Sequence, residues 1–204
     1  MAKKNPAEKK LLVIIFIEGD TEEDFYKKLI QIIREKHGGG LSCNIEVKNL
    51  KGIGNYQDKA RRKFTKKIKI DYPEDQYRYY IFLCYDTDVF EYAPKPPVDW
   101  KKVIDTLKNL GAEEVKEVKA IRSIEDWFLY DIEGLRTYLR IPKKKKLPEF
   151  RGQKGIEQLF KIANKTYIKG RKCEGLVEKL DFNKILPKIK NEISSLCKAL
   201  GVDI

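Results

Sequence analysis

Two hydrophobic runs in this chain each end in acidic residues. Residues 11–17 lead into Glu18-Gly19-Asp20, and residues 79–85 lead into Asp86-Thr87-Asp88. Runs of this length, rich in β-branched and aromatic residues, are typical of buried strands in an α/β sheet. Because ligands of open α/β sheets bind outside the carboxyl ends of the strands, we expect Glu18, Asp86 and Asp88 to converge. Uncompensated carboxylates repel each other, so the pattern predicts a divalent metal site.

The rest of the N-terminal two thirds alternates between strand and helix patterns. The predicted strands and helices are, in chain order, strand 11–17, a helix from about Glu22 to before Gly38, strand 43–48, helix 57–69, strand 79–85, helix 98–110 and strand 114–120. This alternation predicts an α/β fold with a mainly parallel sheet flanked by helices.

Beyond residue 121 the pattern becomes helical. We expect one helix over residues 124–139, a loop or linker at 143–146, and further helices within 156–200. The sequence therefore predicts an α/β core at 11–139 and an appended basic helical C-terminal region at 140–204.

Positive charge is unevenly distributed along the chain. The formal net charge is +12, and residues 140–190 hold 16 Lys and Arg against 5 Asp and Glu, a net +11. Such an excess predicts a polyanionic partner, of which nucleic acid is the default. A lysine-rich and glutamate-rich composition is also typical of thermophilic proteins, which would explain many lysines but not this local excess.

Other composition features narrow the class of protein. No apolar run approaches the roughly 18 residues of a membrane helix, and the basic start lacks a small-residue cleavage site, so we expect a cytoplasmic protein without a membrane partner. The cysteines show neither CxxC spacing nor neighbouring histidines, so they are expected to be buried thiols. They are Cys43, Cys84, Cys173 and Cys197.

The acidic groups also have structural interpretations. Glu18-Gly19 lies at a strand-to-helix turn, but the sequence lacks the glycine patterns of phosphate-binding loops. Glu22, Glu23 and Asp24 could simply interact favourably with the helix dipole. This explanation does not cover Glu18, which precedes the first helical turn. Alternate residues of an extended segment point the same way, so Asp86 and Asp88 can face one cation, although Asp-x-Asp also occurs in turns and caps.

Taken together, the two motifs resemble the Toprim domain, the catalytic module of topoisomerases, DnaG-type primases and old-family nucleases. Glu18-Gly19 corresponds to the glutamate-glycine after the first strand, and Asp86-Thr87-Asp88 to the Asp-x-Asp after the third. Residues 18–26 and 123–129 are especially similar to small prokaryotic RloB-like Toprim proteins of phage-defence gene clusters. The resemblance covers roughly residues 11–139.

This resemblance implies a nuclease that uses Mg²⁺ or Mn²⁺ to cleave the phosphodiester bonds of DNA or RNA, in antiviral defence. It implies that Asp86 and Asp88 are metal ligands and that Glu18 is either a ligand or a general acid/base. An ATPase encoded by a neighbouring gene would be a candidate partner.

Further acidic and basic residues are candidates for the site. Glu125 follows the fourth strand and is either a member of the catalytic acidic group or a helix N-terminal acid after a Ser123 cap. We expect nucleic acid to contact six cations. One lies shortly before Glu125, and the other five form a basic block around Tyr167. A solvated helix face is the competing interpretation of this block. The six cations are Arg122, Lys161, Lys165, Lys169, Arg171 and Lys172.

Two other functions are compatible with the sequence. One is a nucleic-acid-binding module whose acidic site is structural or degenerate. The other is a primase-like nucleotidyltransferase that uses the same metals, although 204 residues leave little room for a nucleotide-selecting subdomain.

Overall fold

A four-stranded parallel sheet lies at the centre of the molecule. The structure is a computed structural model that describes residues 8–36, 43–88 and 98–202. The strands are β1 (Lys10–Ile17), β2 (Cys43–Asn49), β3 (Tyr77–Asp86) and β4 (Glu114–Ala120). They lie in the order β2-β1-β3-β4, and each neighbouring pair is parallel. The predicted α/β fold class is confirmed, and the carboxyl ends of β1 and β3 lie side by side.

Helices pack on both faces of this sheet. They are α1 (Asp20–Lys36), α2 (residues 56–71), α3 (Trp100–Asn109), α4 (Ile124–Leu129), α5 (Ile132–Leu139), α6 (Gly152–Ile162) and α7 (Phe182–Ala199). Short 3₁₀ turns occur at Ile53–Asn55 and Val177–Lys179. The predicted strands agree with the structure to within two residues at each end. The first helix is predicted to end before Gly38, and that point lies outside the described residues.

The prediction of one helix over residues 124–139 is wrong, because the chain breaks into α4 and α5 around Asp131. The buried Asp131 carboxylate accepts a hydrogen bond from Asp181 N at 2.8 Å and pairs with Lys184 Nζ at 2.8 Å. A Cβ at Gly134 would lie 2.5 Å from the carbonyl oxygen of Lys179, so only glycine fits there. The break therefore docks these helices against residues 179–184.

Helix α2 combines π-helical and α-helical turns. Its π-helical turns are Tyr56–Ala60 and Phe64–Ile68. Four buried side chains recur at intervals of four residues, namely Tyr56, Ala60, Phe64 and Ile68. In a regular α-helix each such step would rotate the side chain by about 40° around the axis, because one turn takes 3.6 residues. The wider π turns remove most of this rotation and keep all four residues on the sheet.

Two hydrophobic clusters lie on opposite faces of the sheet. Alternate β1 residues divide between them, with Leu12, Ile14 and Phe16 facing α2 and α3. The opposite face of β1 packs with α1, and the same cluster includes residues of α6 and α7. Residues 140–202 thus share a continuous core with the first strand and the first helix.

Phe25 lies at the centre of this shared core. Its ring is fully buried, stacks on Phe182 at 5.0 Å between centroids, and contacts Trp127 at 5.6 Å and Phe128 at 5.5 Å. Phe25 therefore joins α1 to α4 and α7. Trp127 and Phe128 thus belong to the core rather than to a base-stacking surface.

Two further findings concern the described part of the chain. None of its helices is long and apolar enough to cross a membrane. Its cysteines are free thiols, three buried and one, Cys173, half-buried.

We predict that Phe25→Ala lowers the free energy of unfolding by about 3–5 kcal/mol, because it leaves a cavity beside the rings of Phe182, Trp127 and Phe128. Urea denaturation followed by tryptophan fluorescence and by far-ultraviolet circular dichroism should give one coincident transition. The matched control, Ile70→Ala, alters an exposed side chain and should change this free energy by less than about 0.5 kcal/mol. Separate transitions for the two probes would contradict a shared core.

Candidate active site

The turn from β1 into α1 positions Glu18. Its Oε1 accepts a hydrogen bond from the backbone N of Asp86 at 3.1 Å, which links the ends of β1 and β3. Behind it, Glu22 Oε2 accepts hydrogen bonds from Glu18 N at 2.7 Å and Gly19 N at 3.4 Å. Glu22 thus folds back from the first turn of α1 and ties down the strand end, as the glutamate of a capping box does.

Asp86 is the last residue of β3, and its carboxylate is buried. Its Oδ1 accepts a hydrogen bond from Ile124 N at 2.8 Å and so caps the start of α4 from another strand. Ser123, the expected cap, makes no side-chain hydrogen bond to this helix. The chain beyond Asp86 is held against the segment after β4, because Asp88 N donates to Arg122 O at 2.8 Å.

The ammonium group of Lys169 lies between the two aspartates. Its Nζ is 2.8 Å from Asp86 Oδ2 and 3.0 Å from Asp88 Oδ2. The sequence predicts that Lys169 contacts nucleic acid, but the structure places its charge inside the acidic cluster. Since both oxygens contact one nitrogen, they lie within reach of one small cation.

The loop that carries Lys169, residues 163–176, is anchored on both sides of this lysine. Tyr167 OH donates a hydrogen bond to Glu125 Oε1 at 2.7 Å. Gly170 O accepts one from Asp20 N at 3.1 Å, and Arg171 O accepts one from Thr21 Oγ1 at 2.6 Å. The loop crosses so close to the β1–α1 turn that a Cβ at Gly19 would lie 3.0 Å from the Cα of Gly170.

Glu125 belongs to the acidic cluster rather than to an exposed helix end. It is 1% exposed, and Tyr167, which is also buried, is its hydrogen-bond partner. The expectation that Tyr167 forms part of an exposed basic surface is therefore wrong. Glu125 Oε2 and Ser123 Oγ are buried without a hydrogen-bond partner among residues 8–36, 43–88 and 98–202.

A cavity of about 410 Å³ opens beside these carboxylates. Glu18, Glu22 and Glu125 line it, together with Lys51 and the loop that carries Lys169. A larger cavity of about 500 Å³ lies near Tyr130 and Phe150, but it is lined by none of the clustered carboxylates, whereas Glu18, Glu22 and Glu125 all line the smaller one. The smaller cavity is therefore the candidate active site.

Burial and repulsion raise the pKa values of three carboxyl groups in the acidic cluster, those of Glu18, Glu22 and Asp86. Burial is the main cause for Glu18, whose pKa rises to about 8, and the nearby Asp86 charge raises it further. Burial likewise raises the pKa of Asp86 to about 7, although Lys169 opposes the shift. The pKa of Glu22 lies well above its usual range because of burial and the charges of Asp86 and Glu18. Near neutral pH these three groups therefore retain protons unless a cation in addition to Lys169 compensates their charge.

The predicted nucleic-acid contacts differ in their positions. Arg122 has a left-handed backbone (φ 65°), and its N donates to Thr87 Oγ1 at 2.8 Å, beside Asp88. Lys161, Lys165, Arg171 and Lys172 have exposed side chains. Lys165 Nζ lies 5.2 Å from the centre of the Tyr138 ring, and Lys172 Nζ lies 3.8 Å from Asp24 Oδ2. Arg171 alone of these four lines the candidate cavity.

The chemistry of the donor set suits a hard divalent cation, which prefers carboxylate and hydroxyl oxygens. The orphaned Glu125 Oε2 is an unused oxygen donor in the acidic cluster. As the side chains stand, however, no three acidic, histidine or cysteine residues in the described ranges are arranged to hold a metal ion. A divalent ion bound to both aspartates would have to displace the ammonium of Lys169.

Sequence reasoning missed Glu22, Lys169 and Tyr167 as members of the acidic cluster. Glu22 had a usable signal, because a glutamate at the third position of a helix commonly reaches back to the preceding backbone. Lys169 and Tyr167 lie in an irregular loop, 81 and 42 residues from the acidic partners that they contact. No periodicity marks such contacts.

Comparisons of the chain with protein-family models, curated proteins and solved structures gave no match. The resemblance to Toprim proteins therefore stays a prediction from the motifs.

We predict that Glu18→Gln makes the free energy of unfolding less sensitive to rising pH. A carboxyl group whose pKa is 4.5 when unfolded and about 8 when folded binds more protons in the folded state between these values. Its contribution to the free energy of unfolding therefore falls as pH rises through this window. Glutamine keeps the acceptor for Asp86 N but carries no charge, so the stability of the variant relative to wild type should increase from pH 5 to pH 8.

Urea denaturation at each pH, in buffer containing a chelator, measures this difference. Glu174→Gln, which alters an exposed carboxylate, is the matched control and should follow the wild-type curve. Parallel curves for Glu18→Gln and wild type would show that Glu18 is ionised in the folded protein at pH 5.

Proposed function

We propose that this protein is a Toprim-type nuclease that uses Mg²⁺ or Mn²⁺ to cleave the phosphodiester bonds of DNA or RNA in the cytoplasm. The observation that carries the proposal is the convergence of Glu18, Asp86 and Asp88 at one edge of the sheet, beside a cavity. Glu22 and Glu125 add two further carboxylates to this edge. Such a concentration of oxygen donors supports divalent-metal chemistry.

In this proposal Asp86 and Asp88 hold the metal ion. When bound, the ion supplies charge neutralisation at the scissile phosphate and activation of the attacking water. Glu18 either joins the ligands or transfers a proton, and a pKa of about 8 suits proton transfer near neutral pH. Glu125, oriented by Tyr167, offers its unpaired Oε2 to the same site.

Lys169 has a separate place in this proposal. In the absence of a divalent ion its ammonium lowers the repulsion between Asp86 and Asp88. Once displaced from the two carboxylates, it would remain close enough to pair with a phosphate oxygen of the substrate. Exposed cations on the same side, including Arg122 and Arg171, would position the phosphate backbone.

The biological setting comes from the motif resemblance. A role in defence against phage and an ATPase partner encoded by a neighbouring gene are implied by the RloB-like motifs alone.

A second candidate function is a nucleic-acid-binding module without catalysis. The position of Lys169 favours it, because a lysine that already neutralises Asp86 and Asp88 can substitute permanently for a metal ion. In that case the acidic cluster is a structural ion pair that fixes the C-terminal loop to the sheet.

We predict that Asp88→Asn lowers divalent-metal-dependent cleavage of plasmid DNA or total RNA by at least about two orders of magnitude. The amide keeps the shape of the side chain but loses the charge that holds the ion, so folding and nucleic-acid affinity should change little. Gel assays with Mg²⁺ or Mn²⁺ measure cleavage, and Asp105→Asn, at an exposed position of α3, is the matched control. Wild-type cleavage by Asp88→Asn would refute its role as a ligand.

We predict that Lys169→Met tightens Mn²⁺ binding by about tenfold or more, because it removes a cation that competes for Asp86 and Asp88. Titration calorimetry with MnCl₂ compares this variant with wild type and with the control Lys165→Met, which should match wild type. If neither wild type nor Lys169→Met binds Mn²⁺, the binding-module function is favoured and the nuclease proposal fails.

A further inference from the structure

A second basic segment lies in the α/β core, outside the C-terminal region. Residues 48–69 contain nine Lys and Arg against one Asp, a net +8. Acidic residues elsewhere in residues 1–139 offset this excess, so the net charge of that part of the chain is small. Most of these cations belong to α2.

The spacing of five of these cations, at i, i+3, i+4, i+7 and i+8, places them on one side of the helix. Lys59, Lys63 and Lys67 recur every four residues, as do Arg62 and Lys66. Because Lys59, Lys63 and Lys67 each precede a buried residue, their row runs beside the buried row, and the exposed Arg62 and Lys66 extend it away from the sheet. The five cations alone line a shallow depression of about 380 Å³. We call this depression and its five residues the α2 basic face.

No side chain of the α2 basic face forms an ion pair with any residue in the described ranges. Nearby lysines differ, since Lys51 pairs with Asp20 and Lys69 pairs with Glu74. Partial burial and the charges of Lys48, Lys67 and Lys59 lower the pKa of Lys63. Like charges four residues apart also destabilise a helix. The face therefore presents five clustered positive charges that no ion pair in the described part of the chain neutralises.

The α2 basic face begins at the rim of the candidate active site. Lys59 Nζ donates a hydrogen bond to the carbonyl oxygen of Leu50 at 3.1 Å. Lys51 and Gly52, which follow Leu50, line the cavity beside the carboxylates. At the start of α2, the Tyr56 hydroxyl donates to the carbonyl oxygens of Phe16 and Cys84, near the ends of β1 and β3.

We infer that the α2 basic face binds the phosphate backbone of the nucleic acid whose strand enters the candidate active site. The identity of this polyanion rests on the proposed function. From residue 59 to residue 67 the face spans about 12 Å, at about 1.5 Å per residue. Successive phosphates of one strand in a duplex are about 3.4 Å apart along the axis, so the face matches about three or four of them. Such contacts position the strand without reading its bases.

The test compares two triple variants with the same change in net charge. One is Lys63→Ala/Lys66→Ala/Lys67→Ala on the α2 basic face. The other is Lys101→Ala/Lys102→Ala/Lys108→Ala on α3, whose lysines are exposed and whose helix covers the same face of the sheet. Fluorescence anisotropy with labelled single-stranded and duplex oligonucleotides is measured at several salt concentrations, with a chelator to prevent cleavage.

The α2 variant should bind about tenfold or more weakly at low salt. Its slope of log K against log salt should be shallower by about 2 to 3, because three phosphate contacts are lost. The α3 variant should stay near wild type. An equal loss in both variants, or an unchanged slope in the α2 variant, would overturn the inference.

Two further measurements separate this inference from other causes. Lys66→Gln/Lys67→Gln changes only exposed side chains and should give a smaller loss in the same direction, with an unchanged melting temperature. If the α2 variant loses binding to phosphatidylserine vesicles while nucleic-acid binding stays at the wild-type level, the face is a membrane-binding surface and the inference is wrong. Absence of cleavage by wild type, with the slope change intact, refutes the nuclease and leaves the binding face standing.

Discussion

The ammonium group of Lys169 is the counter-charge on which the carboxyl edge of the sheet depends. A parallel sheet brings the ends of β1 and β3 together, and here both ends carry buried or half-buried carboxylates. Burial and neighbouring carboxylates raise the pKa of Glu18 to about 8 and that of Asp86 to about 7, even with Lys169 in place. Despite the burial of its side chain, the pKa of Lys169 is raised by Asp86 and Glu125. The lysine and the acids therefore stabilise each other's charged forms.

This dependence joins the C-terminal region to the α/β core. The loop at 163–176 reaches the acidic cluster only because α6 and α7 pack in the same hydrophobic cluster as β1 and α1. In turn, the loop covers Glu125 through Tyr167 and closes over the β1–α1 turn at Gly19. Electrostatics and packing thus favour the same arrangement. In structural terms the C-terminal region forms one wall of the candidate active site.

The sequence predicts most of the sheet but only part of the site. Hydrophobic runs mark the strands clearly, and a parallel order then places Glu18 beside Asp86 because strand ends meet at one edge. The two strand-end motifs are therefore sufficient for that pair. The contacts of Lys169 and Tyr167 depend on how an irregular loop folds back over the sheet, and neither residue type nor spacing specifies that path. The break at Asp131 has the same origin, since its partners lie 50 and 53 residues further along the chain.

In helix α2 the interval of four residues between buried side chains differs from the 3.6 residues of a regular α-helical turn. Three steps of four residues would rotate a side chain by about 120° around a regular α-helix, so the wider turns keep the four buried residues in line on the sheet. Lys59, Lys63 and Lys67 repeat at the same interval of four, so the α2 basic face runs beside the buried row.

Attraction of a phosphate backbone needs positive charge, whereas binding of a metal ion needs negative charge. The fold places these two kinds of charge a short distance apart. The acidic cluster holds five carboxylates against one lysine, so alone it would repel a phosphate backbone. At physiological ionic strength such repulsion is screened over about 8 Å, and attraction from cations is limited to the same range. Cations must therefore lie close to the cluster without neutralising it further. The Lys59 end of the α2 basic face meets this condition at the segment after β2, because Lys59 hydrogen-bonds to Leu50, the residue before the cavity-lining Lys51. Arg171 meets it on the loop that carries Lys169, since it lines the same cavity.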